Sequence, residues 1–174
     1  ISTLSTRAGA TLPIVIPEGK TLELDLNGFK ISAPFEEGST EKHYYAFENK
    51  GTFTITDSKG GGQIIARGNF NYGTINIESG SIVACDGNGG YGVRNYENAT
   101  FVMNGGSIST SLEDDHLVDN GGFDATTLRV DYGAKATING GTINNICDFT
   151  LAIENHGTTT IKGGTFTSVH TTIG

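Results

Sequence analysis

The chain has 174 residues, which suits one domain with a hydrophobic core of its own. Its formal net charge of −8, from 11 basic and 19 acidic residues, excludes nucleic acid and anionic membrane surfaces as expected partners, because both require basic patches. Apolar runs stay far below the roughly 18 residues that span a bilayer, so we do not expect membrane insertion. The 26 glycines follow no G-X-Y period, which excludes collagen and favours a fold with many turns.

The sequence begins at Ile1 with neither Met nor a signal peptide, and its last residues resemble the middle of a repeat unit. We therefore expect a fragment of a larger protein that forms one domain over residues 1–174. In this interpretation residues 1–18 supply an N-terminal cap and first strand, and residues 19–174 supply the repeat units.

A short motif recurs along the chain, in which turn residues, usually glycines, lead into a short segment that carries an apolar residue. Recurrence of this kind indicates stacked structural repeats. The apolar residues of the six copies are Ile31, Ile64, Ile82, Ile108, Ile143 and Phe166. They are about 27 residues apart on average, which fits one coil of three strands and three turns.

Two further strands are predicted in each unit. A stretch with alternating apolar residues precedes each copy of the motif, and this period of two indicates a half-buried strand. These stretches are 22–26, 52–55, 74–77, 100–103, 135–138 and 158–161. A shorter strand lies upstream of them, at 47–49, 93–95, 130–131 and 153–155.

Three short strands per unit predict an all-β protein, a single-stranded right-handed parallel β-helix (a solenoid) of about five to six coils, because parallel crossovers are right-handed. Equivalent residues of neighbouring coils should then stack about 4.8 Å apart. One buried column is expected to contain Leu26, Ile55, Ile77, Met103, Ile138 and Ile161. An antiparallel β-sandwich is the alternative, and it explains the alternation but not the recurring motif.

Asn49, Asn95 and Asn155 recur at one position, at the end of the shorter strand. An amide at a repeated turn position is able to bond to the amide of the next coil and to the turn backbone. We interpret these residues as a structural asparagine ladder.

The two cysteines, Cys85 and Cys147, follow motif copies that are two coils apart, or about 9.6 Å by stacking. A disulfide requires Cα atoms within about 7 Å of each other. We therefore predict two free, buried thiols.

The run from Ile16 to Gly28, Ile-Pro-Glu-Gly-Lys-Thr-Leu-Glu-Leu-Asp-Leu-Asn-Gly, resembles the opening coil of pectate-lyase-like β-helix domains. The Gly-Gly-Thr-Ile repeats are similar to those in large surface proteins of gut and other Gram-positive bacteria. The resemblance covers nearly the whole chain and implies a β-helix in an extracellular or cell-surface location. It specifies the fold better than the function, because one fold hosts many functions.

Coil length indicates where a binding site would lie. The connection from the Gly-Gly strand to the next strand is long in two coils, at 33–46 and 109–127. Both insertions fall in the same connection, so we expect them to leave the solenoid at one edge and to wall a shallow groove suited to sugar rings or a protein surface. The predicted binding residues are Glu41, His43, Tyr44 and Tyr45 in the first insertion, Asp115, His116, Asp119 and Phe123 in the second, and Tyr72, Tyr91 and Tyr96 in the coils between.

The second insertion is acidic, and calcium prefers several carboxylate and carbonyl oxygens. The calcium candidates are Glu113, Asp114, Asp115 and Asp119. Their spacing is not that of an EF-hand loop, so we favour a solvated acidic loop and expect no cofactor.

Three charged residues, Arg94, Asp131 and Glu154, are predicted to lie on one outward column. Asp131 and Glu154 would then be about 5 Å apart on adjacent coils, a separation found in retaining glycosidases. The resemblance implies that Arg94 would abstract a proton in a lyase. A charge ladder on a solvated sheet is the alternative, which we favour because no complete catalytic signature is present.

Several functions remain open on these grounds. We favour a non-catalytic recognition module that binds a host glycan or glycoprotein, with immunoglobulin as one candidate. A carbohydrate-active lyase or glycosidase and a structural stalk are the alternatives. The pairs Thr52/Thr54 and Thr158/Thr160 also suit an ice-binding face, but other residue types interrupt the array. The oligomeric state is left open.

Overall fold

In the computed structural model, the described residues are 3–5, 13–33, 45–85, 90–111, 126–146 and 151–168. Within these ranges the chain forms 19 strands and no helix. It follows that the described part of the chain contains no helix that is long and apolar enough to cross a membrane.

The strands form three sheets. Sheet A contains β1 (Thr3–Ser5), β4 (Lys30–Ser32), β7 (Gln63–Ala66), β10 (Ser81–Cys85), β13 (Ser107–Ser111), β16 (Thr142–Asn145) and β19 (Thr165–Ser168). Sheet B contains β2 (Ile14–Ile16), β5 (Tyr45–Asn49), β8 (Gly68–Asn71), β11 (Tyr91–Asn95), β14 (Thr126–Val130) and β17 (Ile153–Asn155). Sheet C contains β3 (Thr21–Asp25), β6 (Thr52–Thr56), β9 (Thr74–Ile77), β12 (Thr100–Met103), β15 (Lys135–Ile138) and β18 (Thr158–Ile161).

Each strand pairs in parallel with the equivalent strand of the neighbouring coil, and each coil passes through sheets B, C and A in turn. The chain is therefore a right-handed parallel β-helix of about six coils, which confirms the predicted fold. The motif residues stack in register along sheet A as expected. The column is Leu4, Ile31, Ile64, Ile82, Ile108, Ile143 and Phe166.

The buried column of sheet C differs from the expected one in its first member. Leu24, and not Leu26, pairs with Ile55. Ile77, Met103 and Ile138 are in register and buried as predicted. The last member differs as well, because Ile161 is in register but 42% exposed on β18, the end strand of the described sheet. Leu26 lies just beyond β3, where its backbone N–H donates to the carbonyl of Thr56 at 2.8 Å and its side chain is buried in the corner. Both leucines have the same parity in an alternating strand, so the pattern alone did not separate them.

Strand β8 was not predicted, because its inward side chains are Asn69 and Asn71 and therefore show no alternating apolar pattern. The asparagine ladder differs from the predicted one, because Asn71 lies between Asn49 and Asn95. The Nδ2 of Asn49 donates to Oδ1 of Asn71 at 2.7 Å, and Nδ2 of Asn71 donates to Oδ1 of Asn95 at 2.6 Å. Asn155 does not join this ladder, because Val130 occupies the register position between it and Asn95.

Close approach of neighbouring coils fixes a glycine at the turn after β8. A Cβ atom on Gly73 would lie 2.2 Å from the carbonyl oxygen of Gly51, which is backbone and cannot move independently. We expect Gly73→Ala to destabilise the protein by about 3 kcal/mol, as overpacking does, in urea unfolding monitored by circular dichroism. Gly68→Ala is the matched control, because its Cβ would meet side chains and no backbone: the ring of Tyr45 at 3.1 Å, which is able to tilt, and the ring of Phe70 at an ordinary contact distance of 3.5 Å. Equal losses for both variants would contradict the predicted coil stacking.

Candidate functional site on the outer side of sheet B

The outward side chains of sheet B form ordered rows along the solenoid. One row is in strand register: Val15, Glu48, Phe70, Arg94, Arg129 and Glu154. A second row follows the strand ends, where each backbone N–H donates to the preceding coil: Lys50, Tyr72, Tyr96, Asp131 and His156. Tyr45 and Tyr91 add ring systems at the beginning of their strands, with Gly68 in register between them. We call these residues the sheet B face.

Residue types are segregated among the three sheets. Within the described ranges, every tyrosine and every arginine lies in a sheet B strand or within two residues of one. They are Tyr45, Tyr72, Tyr91, Tyr96, Tyr132, Arg67, Arg94 and Arg129. The outward positions of sheets A and C carry mainly threonine, serine and asparagine, with scattered charged and aliphatic residues. Sheet B is therefore chemically distinct from the other two faces.

The aromatic residues of the sheet B face pack on one another. The rings of Tyr72 and Tyr96 stack with centroids 4.2 Å apart and an interplanar angle of 15°. The rings of Phe70 and Tyr96 pack edge to face with centroids 5.6 Å apart. The ring centroids of Tyr45 and Phe70 are 3.8 Å apart. Partial burial and a hydrogen bond with Tyr96 raise the pKa of Tyr72 above the ordinary tyrosine value, so its hydroxyl stays protonated well into the alkaline range.

An arginine–carboxylate network continues this face into the later coils. The Nε atoms of Arg94 and Arg129 contact the two carboxylate oxygens of Asp131 at 2.9 and 2.7 Å. Arg129 also contacts Glu154 through Nη1 at 2.8 Å, and the same Glu154 oxygen lies 2.8 Å from Nε2 of His156. Burial opposes ionisation of Asp131, but the hydrogen bonds from the two arginines outweigh it and the pKa of Asp131 is lowered.

The predicted column of Arg94, Asp131 and Glu154 is wrong in its middle member. Arg129 is in register with both Arg94 and Glu154, whereas Asp131 lies beyond the end of β14. The error arose from aligning Val130 with Val93, when Leu128 is the true partner of Val93. Both 93–95 and 128–130 begin with an apolar residue followed by arginine. This shared pair is the sequence signal that would have identified Arg129.

This arrangement argues against a glycosidase pair made of Asp131 and Glu154. A retaining pair acts on a sugar that lies between its two carboxyl groups. Here the guanidinium of Arg129 bridges the two carboxylates instead, because it contacts Asp131 through Nε at 2.7 Å and Glu154 through Nη1 at 2.8 Å. The side chains therefore form a charge network, the alternative that the sequence favoured.

The remaining predicted site residues lie outside the described residues. They are Glu41, His43, Tyr44, Asp115, His116, Asp119 and Phe123, together with the calcium candidates Glu113 and Asp114. The described ends of both insertions do share one corner: each connection leaves a sheet A strand, β4 or β13, and enters a sheet B strand, β5 or β14. The part of the chain that the structure describes contains no group of three or more His, Cys, Asp or Glu side chains able to hold a metal ion.

Threonines line the outer side of sheet C more fully than the sequence indicated. Thr137 joins one outward row, because it pairs with Val102 and Thr160. The first row is Thr21, Thr52, Thr74, Thr100, Lys135 and Thr158, and the second is Glu23, Thr54, Asn76, Val102, Thr137 and Thr160. The interruptions that counted against an ice-binding array are present in both rows.

No protein-family model, curated protein or solved structure matches this chain. What the protein does must therefore be argued from its own surface.

Proposed function

We propose that the protein is a non-catalytic recognition module that binds a host glycan or glycoprotein through the sheet B face. The single observation that carries this proposal is the segregation of the described tyrosines and arginines onto one side of the solenoid. Strand propensity alone would distribute tyrosine over all three sheets, because each has the same pleated geometry. Tyrosine and arginine are enriched where proteins bind other molecules.

The topology supports the same face. The two long connections enter sheet B at β5 and β14, which are three coils apart, or about 14 Å by stacking. Between them, a single residue, Arg67, connects β7 to β8, so in this coil no loop projects at the corner where the two long connections leave the solenoid. In repeat proteins, insertions on one edge commonly flank the binding surface.

An extracellular or cell-surface location is part of the proposal. Its support is the resemblance of the Gly-Gly-Thr-Ile repeats to those of bacterial surface proteins, and the acidic net charge of −8, which suits a protein that meets other macromolecules without binding nucleic acid. Immunoglobulin is one glycoprotein ligand to include in a test.

The test is an array of mammalian glycans and serum glycoproteins, immunoglobulins included, probed with three forms of the protein. Tyr72 and Phe29 are exposed to nearly the same extent, 41% and 40%, but only Tyr72 lies on the sheet B face. We expect the wild-type protein to bind a specific ligand and Tyr72→Ala to bind it about 10-fold more weakly, as at a hot-spot position. Phe29→Ala should bind within about 2-fold of wild type. The absence of any specific ligand, or an equal loss in Phe29→Ala, would refute the proposal.

A further inference from the structure

Two arginines stand directly opposite each other on neighbouring strands of the sheet B face. Arg94 and Arg129 are in register on β11 and β14. Like charges at directly opposite positions destabilise a sheet, and Asp131 offsets this repulsion by accepting from both side chains. A polar residue or an acidic residue at either position would avoid the repulsion altogether. Sheet pairing therefore does not account for the two arginines, which suits a binding role.

Arg94 keeps part of its hydrogen-bonding capacity unused. Among the described residues, its guanidinium donates only through Nε, to Asp131, while its two terminal amino groups have no partner. The group is held in place, because its Cζ lies 4.3 Å from the ring centroid of Tyr96 and the side chain is 27% exposed. A fixed guanidinium whose terminal donors have no partner in the described part of the chain matches the planar geometry of a carboxylate.

The aromatic packing distinguishes a protein ligand from a sugar. A sugar ring stacks on an open aromatic face. On the sheet B face Tyr96 is covered by Tyr72 and by Arg94, and Phe70 is in contact with Tyr45 and Tyr96. Among the described rings the most exposed is Tyr132, at 74%, which lies beyond the rows and next to His156, while Tyr72, at 41%, has its ring stacked against Tyr96. What the rows offer is ring edges, hydroxyl groups and guanidinium groups, the composition of a protein-binding hot spot.

We infer that the sheet B face binds a protein segment that places an aspartate or glutamate carboxylate on the terminal amino groups of Arg94. The inference rests on the proposed function: the ligand is a glycoprotein, and its polypeptide rather than its sugar is recognised. Asp131 and Arg129 are positioning residues, because they hold the guanidinium of Arg94 from its Nε side. Charge complementarity selects the acidic side chain, and the tyrosine hydroxyls donate hydrogen bonds to the backbone of the segment.

The test begins with a phage-displayed library of random 12-residue peptides selected on the immobilised protein. Selected peptides are synthesised with each acidic residue present and with it replaced by Gln or Asn. We expect the Glu→Gln or Asp→Asn change to weaken binding to wild type about 20-fold in calorimetric titration. The same change should alter binding to Arg94→Gln by less than about 3-fold, since the coupled partner is already gone.

Two further variants keep the outcome interpretable. Lys135→Gln makes the same charge change on the outer side of sheet C and should retain the full 20-fold discrimination. Arg94→Lys keeps the charge but not the planar fork, so partial discrimination is expected even if the Gln variant folds poorly. A thermal melt is recorded for each variant.

Four results would overturn the inference. Selected peptides that bind without an acidic residue would show that no ligand carboxylate is recognised. If wild type and Arg94→Gln discriminated equally between the acidic peptide and its amide variant, Arg94 would not be the residue that binds the carboxylate. A library that yields no binder, while a glycan on the array binds and Tyr72→Ala weakens that binding, would show that the sheet B face recognises a sugar rather than a peptide, and would leave the proposed function intact. Failure of both the library and the array would refute both.

Discussion

Asn71→Ala is expected to lower the free energy of unfolding by about 3 kcal/mol, because it removes the centre of a fully buried hydrogen-bond ladder. The Asn71 amide accepts from Asn49, and it donates to Oδ1 of Asn95 at 2.6 Å and to the carbonyl of Thr100 at 2.9 Å. Removing it leaves Oδ1 of Asn95 without this donor in a site that water does not reach. Urea unfolding followed by circular dichroism measures the loss. The slope of the free energy of unfolding against urea concentration should stay unchanged if only stability is affected.

Asn155→Ala is the matched control for this substitution. Asn155 occupies the equivalent strand position in the last described coil, but it is only partly buried and its amide donates at 3.5 Å to the carbonyl of Gly157. It also accepts from the hydroxyl of Thr159, which is able to turn to water instead. We expect a loss of about 1 kcal/mol or less. If the two alanine variants were equally stable, the ladder would not be the stabilising element that its geometry indicates.

Phe101→Ala should destabilise the protein by about 4 kcal/mol, the range found when a large buried side chain is truncated. Phe101 is fully buried on β12, where it stacks in register between Ile75 and Ala136. Ala136 is too small to close the resulting cavity from the next coil, and the paired strands on either side restrict collapse of the backbone. Thermal and urea unfolding both measure the change.

Val102→Ala tests the register of the same strand. Val102 is the next residue in β12 and points outward, where it is partly exposed. Its truncation should cost about 0.5 kcal/mol. A shift of one residue in the register would exchange the two side chains between core and surface. A larger loss for Val102→Ala than for Phe101→Ala would therefore contradict the stacking of the coils.

The sequence predicted the fold well where inward residues are apolar and recur at one position. The motif column from Ile31 to Phe166 was predicted correctly because its residues are tied to the Gly-Gly turn, which marks the register independently of the alternation. Without such a mark, the pattern assigned Leu26 to a position that Leu24 occupies. Strand β8 was missed because its inward side chains, Asn69 and Asn71, are amides, and hydrogen bonding rather than burial of apolar area stabilises it.

The candidate site was only partly predictable. Tyr45, Tyr72, Tyr91, Tyr96 and Arg94 were named from the sequence, and the structure places all of them on one face. Arg129 was missed, because its place follows from the register of a strand that was misaligned. Contacts between coils depend on which residue of one strand lies over which residue of the next, and a period-two pattern leaves that choice open. The predictions on the two insertions stay predictions.

Hydroxyl-radical footprinting of the ligand-bound protein, read by mass spectrometry, tests the central claim that recognition occurs on the sheet B face. The ligand is the one returned by the array or the library. Tyr72 and Phe29 are aromatic, of nearly equal exposure at 41% and 40%, and on different parts of the solenoid. We predict that binding lowers the oxidation of Tyr72 several-fold and leaves Phe29 unchanged. Protection of Phe29 with no change at Tyr72 would place the binding site elsewhere and contradict the claim.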